Sequence, residues 1–202
     1  MLTVFTLIVL LFSIVIHEIA HGSVAYYLGD PTAKHAGRLT INPLKHLDPF
    51  GSVILPLLLL LVTFGRGPIF GWAKPVPINP YNFRDKKWGN LKVALAGPGS
   101  NLAIALCFGF LLRFFNLPLQ FLNLLSIIVI LNLLLGIFNL IPIPPLDGSH
   151  ILFSLLPAQT FKIQKIFFRY GIFILILFIF LIFPLIFPLI FIIYRIIVGK
   201  PF

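Results

Sequence analysis

The run LTVFTLIVLLFSIVIHEIAHGSVAYYL, Leu2 to Leu28, is apolar over most of its length and carries His17, Glu18 and His21 in its second half. Crossing a bilayer takes about 20 apolar residues, so the run is long enough to span. It has no basic n-region, and charged residues inside it do not suit a cleavable signal peptide. Glu18 is the only glutamate of the chain and lies between two of its five histidines. In a soluble helix two core histidines and a stray acid would be an acceptable reading. At bilayer depth an acid costs about 2.5–3.5 kcal/mol on insertion scales, so ionisable groups there are functional by default.

The rest of the chain is equally apolar. Of 202 residues, 59% are hydrophobic and 10% charged, and the mean hydropathy is +1.08. A soluble domain carries about 25% charged residues. This composition excludes disorder, a disulfide-stapled secreted domain and an ordinary cytosolic enzyme. The single Cys107 allows no intramolecular disulfide. The net charge of +10 arises because 15 Lys and Arg face only 5 acids. The basic residues sit in short loops between apolar runs: Lys34, Arg38 and Lys45 in residues 29–49, then Arg66, Lys74, Arg84, Lys86, Lys87 and Lys92 in residues 65–92. That is positive-inside patterning. A nucleic-acid partner is therefore not expected, and the partners implied are the lipid bilayer and molecules within it.

Residues 91–115 and 121–141 are two further full spans, joined by an uncharged link. Residues 51–64 are short for a crossing, contain Pro56 and lie between two basic loops, so they are expected to re-enter or lie shallow. A proline-broken stretch with Pro142, Pro144 and Pro145 leads to Asp147-Gly148. Residues 151–169 are mixed and basic, and residues 170–194 form a last apolar run interrupted by Pro184 and Pro188, either one kinked span or a broken hairpin. The N-terminus is expected to face away from the cytoplasm. LTINP (39–43) and VPINP (76–80) both read as extended stretches ending in an Asn-Pro turn, with two small strands near the membrane face as the sharper reading. The fold class expected is an all-α polytopic membrane protein of about four to six transmembrane or re-entrant helices with a small β element. One membrane-embedded unit is expected over residues 1–202, with a catalytic core of about 1–156 and a hydrophobic tail of about 167–198.

His17-Glu18-Ile19-Ala20-His21 has the H-E-x-x-H spacing. Residues four apart share a helix face, so both imidazoles can address one ion, with Glu18 beside them as a base and not a ligand. Catalytic zinc keeps three protein ligands and one open position. Asp30, Asp48 and Asp85 lie in polar or basic loops, as do His35 and His46. Asp147 and His150 sit among apolar flanks. Asp147 is the best carboxylate available and His150 the runner-up. Irregular backbone at membrane depth is tolerated only where it lines a cavity or is buried in protein. The Gly97-Pro98-Gly99-Ser100-Asn101 run lacks the lysine and strand of a phosphate loop. Its small residues suit close helix packing, and Asn101 suits a hydrogen bond to the catalytic helices. Trp72 and the tyrosines read as interfacial anchors.

HEIAHG, AGPGSN (Ala96 to Asn101) and NLIPIPPLDG (Asn139 to Gly148), in this order, resemble the site-2 protease family of intramembrane zinc metalloproteases. GRLTINPLKHLDPFG (37–51) and FGWAKPVPINPYNF (70–83) resemble segments of its compact prokaryotic branch, which carries no PDZ or CBS domain. The resemblance covers residues 10 to 156. It implies His17, His21 and Asp147 as ligands of one Zn2+, Glu18 as the catalytic glutamate and an active-site role for Asn139. It also implies an endopeptidase acting on transmembrane segments of membrane proteins, in a prokaryotic cell membrane. A metal-binding or transport protein using the same ligands, and a non-catalytic scaffold, are the competing classes. Transport usually needs a relay of polar groups, and the chain has one cluster.

Overall fold

The computed structural model describes residues 2–62, 73–157 and 160–199. Within them the helices are α1 (Leu2–Tyr27), α2 (Thr32–His35), α3 (Leu55–Val62), α4 (Gly89–Phe114), α5 (Leu119–Asn139), α6 (Asp147–Leu155), α7 (Phe161–Leu181) and α8 (Phe183–Val198). Among the described residues four segments are long and apolar enough to cross a membrane: α1, α4, α5 and Lys162–Leu181 of α7. At 1.5 Å per residue they are about 30–39 Å long, against a hydrocarbon core of about 30 Å. The fold is that of an all-α polytopic membrane protein.

The helices are arranged as lipid demands. Leu7, Ile8 and Phe12 of α1 are exposed, whereas Ser13, His17, His21, Gly22 and Ala25 are buried. Small and polar residues face inward because packing and interhelical hydrogen bonds, not hydrophobic burial, hold helices together in a bilayer. α4 lies against both α1 and α5. Its buried stripe, Ala94, Gly97, Asn101, Ala105 and Gly109, recurs every three or four residues. Ile190, Tyr194 and Ile197 of α8 close the bundle on Leu112, Val129 and Leu133. A hydrogen bond of 2.7 Å joins the Ser126 and Tyr194 hydroxyls. Arg113 donates to the Ile196 carbonyl at 2.8 Å, so the last turn of α8 sits beside the last turn of α4. That places the end of α8 on the side of the link at residues 115–118, a point the charge pattern leaves open.

Several boundaries differ from the sequence reading. α7 begins at Phe161 and takes in Lys162, Lys165 and Arg169. The break in the last apolar run falls at Ile182, whereas Pro188 stays inside α8. Within residues 51–64, a six-residue π-type turn (Pro49–Ile54) precedes the eight-residue α3. Residues 63–72, with Arg66, Trp72 and the end of that short run, lie outside the described residues.

The two small strands do not form. Among the described residues there is one antiparallel bridge, Leu47 with Ala73. The Asn-Pro turns are present: Asn42 and Asn79 each cap a short 3₁₀ turn, accepting from the amides of Leu44 and Tyr81. Residues 75–80 cannot supply a ladder because Pro75, Pro77 and Pro80 have no N–H. Two of their remaining amides are taken: Val76 N–H donates to Glu18 at 2.8 Å and Asn79 N–H to Asp30 at 2.7 Å. Asp30 is fully buried at the end of α1 and also accepts from Thr32 and from Asn82 Nδ2 at 2.8 Å. This clasp lays residues 76–83 across the end of α1.

Candidate metal centre

His17 and His21 stand one turn apart on the buried face of α1, with 8% and 7% of their surface exposed. The His21 Nδ1–H donates to the Val93 carbonyl at 2.7 Å. A carbonyl only accepts, so this nitrogen carries the ring proton. His17 Nδ1 lies 2.6 Å from Asn101 Oδ1. Asn101 Nδ2 donates to the Ser13 carbonyl at 3.3 Å, which leaves the oxygen end of the amide for His17. His17 therefore also carries its proton on Nδ1.

In the neutral rings both Nε2 atoms then present lone pairs, and they meet at 3.0 Å. Asp147 Oδ2 completes a triangle, 3.0 Å from His17 Nε2 and 3.2 Å from His21 Nε2. Three electron-rich atoms with no proton between them repel one another unless a cation joins them. Their spacing is close to the roughly 3.3 Å between ligands of a tetrahedral ion with bonds of about 2.0–2.1 Å. Two imidazoles and one carboxylate are donors that suit zinc. The residues present fit the ion.

Two glycines make the approach possible. A Cβ on Gly97 would lie 2.2 Å from His21 Nε2 and 2.6 Å from His17 Nε2, so the backbone of α4 presses directly on the imidazoles. A Cβ on Gly148 would lie 2.3 Å from the Leu140 carbonyl oxygen and 2.4 Å from that of Ile141. Only glycine there lets α6 start tightly against the end of α5, with Asp147 as its first residue.

A cavity of about 430 Å³ opens at the triangle and is lined by Glu18, Val76, Ile78, Asn139 and His150 as well as the three donors. Glu18 lies beside the histidines, its carboxylate oriented by the Val76 amide. Asn139 Nδ2 donates at 3.0 Å to the Leu135 carbonyl in its own helix. His150 is exposed, packs on the Phe168 ring at 5.4 Å between centroids, and is not among the converging donors.

A family model described as Peptidase family M50 matches residues 115–179, which hold Asn139 and Asp147. The chain is also 42% identical over 164 residues to "Putative zinc metalloprotease YwhC" of Bacillus subtilis, covering 76% of this chain and 69% of that protein. The chain belongs to peptidase family M50, the site-2 proteases. This M50 chain is 33% identical over 152 residues to Rip2 of Mycolicibacterium smegmatis, which bears the same designation (74% of this chain, 56% of that protein). It is 36% identical over 86 residues to Zinc metalloprotease MJ0392 of Methanocaldococcus jannaschii (42% of this chain, 25% of that protein). No solved structure matches. Membership of a membrane metalloprotease family and four apolar helices make the chain an integral membrane protein.

The structure adds residues that motif reading passes over: the Val93 carbonyl, the Val76 amide, Ser13 and Asn132. Ser13 and Asn132 did leave a signal, since each is a polar residue inside an apolar span. The two backbone groups left none.

Proposed function

We propose that this M50 protein is an intramembrane zinc endopeptidase that hydrolyses peptide bonds in transmembrane segments of membrane-protein substrates in a prokaryotic cell membrane. In this reading residues 1–156 form the catalytic core, His17, His21 and Asp147 hold one Zn2+, and Glu18 is the general base. The observation that carries it is the meeting of two bare imidazole lone pairs and one carboxylate oxygen inside a membrane-spanning bundle. When bound, zinc supplies a Lewis acid that lowers the pKa of a water towards about 7 and polarises a carbonyl.

The chain's own residues do the rest. Glu18 opens on the same cavity as the donors, so its carboxylate takes the proton of the attacking water and returns it to the leaving amine. The Val76 N–H holds that carboxylate in position. Asn139 lines the cavity, and its Nδ2, which gives one N–H to the Leu135 carbonyl, has a second N–H with which to steady the oxyanion. A substrate helix must unwind to offer its carbonyl, because its own hydrogen bonds otherwise shield it.

Glu18→Gln separates a protease from a metal carrier or a scaffold. Purified Glu18→Gln protein is expected to retain one zinc per chain and to lose cleavage of a model transmembrane substrate by about 10²-fold or more. Retained cleavage would refute the role of Glu18.

A further inference from the structure

We infer that Asn132, on α5 and outside the ligand set, is a positioning residue for the metal centre. It acts through Asn101 to fix which nitrogen of His17 carries the proton. The inference rests on the zinc reading above.

The two ends of an asparagine amide have nearly the same shape, so packing alone does not choose between them. The choice matters at Asn101. With Oδ1 towards His17, the ring is protonated at Nδ1 and its Nε2 is bare. With Nδ2 towards His17, the amide would donate to Nδ1, and the ring proton would sit on Nε2, where the ligand lone pair belongs.

The structure fixes the choice with a one-way chain of hydrogen bonds. Asn132 Nδ2 donates at 2.9 Å to the Ile128 carbonyl, which can only accept, and at 3.0 Å to Ser13 Oγ. Asn132 must therefore turn Oδ1 towards Asn101, and it accepts from Asn101 Nδ2 at 3.0 Å. Asn101 Nδ2 also donates to the Ser13 carbonyl. Only Oδ1 of Asn101 is left for His17, at 2.6 Å. Polarity thus runs from the backbone of α5 through two side-chain amides to the ring on α1. Asn101 and Asn132 are both 0% exposed, so bulk water cannot take over either amide.

The test measures zinc affinity of the full chain in detergent by competition with a chromophoric chelator. The thermal midpoint of the metal-free protein and the cobalt(II) spectrum of the substituted site are recorded alongside. Partners that orient a metal-ligating histidine typically contribute 10–100-fold in metal affinity, so Asn132→Leu should weaken zinc binding about 10-fold and Asn101→Leu about 100-fold. Asn132→Asp keeps an oxygen facing Asn101 and should restore affinity to within about 3-fold of the parent. The thermal midpoint of the metal-free protein separates this from a packing role, in which affinity and midpoint would fall together in Asn132→Leu. The cobalt spectrum should change in Asn132→Leu and return in Asn132→Asp. Where Asn132→Leu does not fold, Ser13→Ala removes one acceptor of the Asn132 amide and should weaken zinc about 3-fold. Unchanged affinity in Asn132→Leu or Ser13→Ala overturns the inference, as does equal weakening by Leu and Asp. A parent protein that binds no zinc refutes the functional reading instead.

Discussion

Gly97→Ala adds one methyl group where α4 meets both imidazoles. The new Cβ would sit 2.2 Å from His21 Nε2 and 2.6 Å from His17 Nε2 and Cε1. Real Cβ contacts essentially never fall below 3.0 Å, so something must move by about 0.8 Å, roughly four times the ~0.2 Å tolerance of zinc–ligand distances. The rings cannot simply swing aside, because each is held at Nδ1, His21 by the Val93 carbonyl and His17 by Asn101. Both of those partners lie on α4, so relief by helix separation drags the supports of the site with it. The cost to the fold is smaller. Alanine exceeds glycine by about 0.8–1 kcal/mol in helix propensity, against about 1–3 kcal/mol for overpacking. The variant should therefore fold with at most about 2 kcal/mol of lost stability. A misplacement of about 1 Å is enough to cost 10²-fold in rate, so zinc affinity and cleavage should each fall about 100-fold or more. Zinc titration and cleavage of a tagged transmembrane substrate in micelles measure both. Parental zinc affinity and cleavage in Gly97→Ala would refute the placement of α4 against His17 and His21 as zinc ligands.

The remaining predictions concern the clasp at the end of α1. Asp30→Ala removes the buried acceptor of Asn79 N–H and Asn82 Nδ2, and at about 0.5–1.5 kcal/mol per hydrogen bond lost it should lower the thermal midpoint in detergent and loosen residues 76–83 to hydrogen exchange. Burial alone would raise the Asp30 pKa, but hydrogen bonds from Thr32, Asn79 and Asn82 outweigh it and hold the carboxyl below its ordinary value. A depressed folded-state pKa means that this stabilisation is complete above about pH 3.9, the unfolded value, and is lost as pH falls through the folded pKa. The stability difference between parent and Asp30→Ala should therefore shrink on acidification, as unfolding scans at neutral and acidic pH would register.

Much of the candidate site, the convergence of His17, His21 and Asp147, was legible because it is written in rare residues. A lone glutamate between two histidines in an apolar run, and a lone aspartate after a proline break, leave few alternatives for a membrane metal site. Two of the later spans were equally plain, since length and hydropathy are local properties: α4 and α5 begin two residues from where the pattern puts them, whereas α7 begins at Phe161, nine residues before the last apolar run. What was not legible depends on contacts between distant segments. LTINP and VPINP look extended, but their asparagines cap 3₁₀ turns and their prolines remove donors, so no strands form. Gly97 reads as a helix-packing residue, whereas its neighbours in space are the two imidazoles 76 and 80 residues earlier in the chain. Asn132 sits in a leucine-rich run, and its direction is set by a carbonyl one turn back and by residues of two other helices.

X-ray absorption at the zinc edge of the purified, zinc-loaded protein tests the central claim most directly. Two imidazoles and one carboxylate predict a nitrogen and oxygen shell at about 2.0–2.1 Å with the outer-shell scattering of two histidine rings, altered by Asp147→Ala. A spectrum left unchanged when Asp147 is replaced would contradict it.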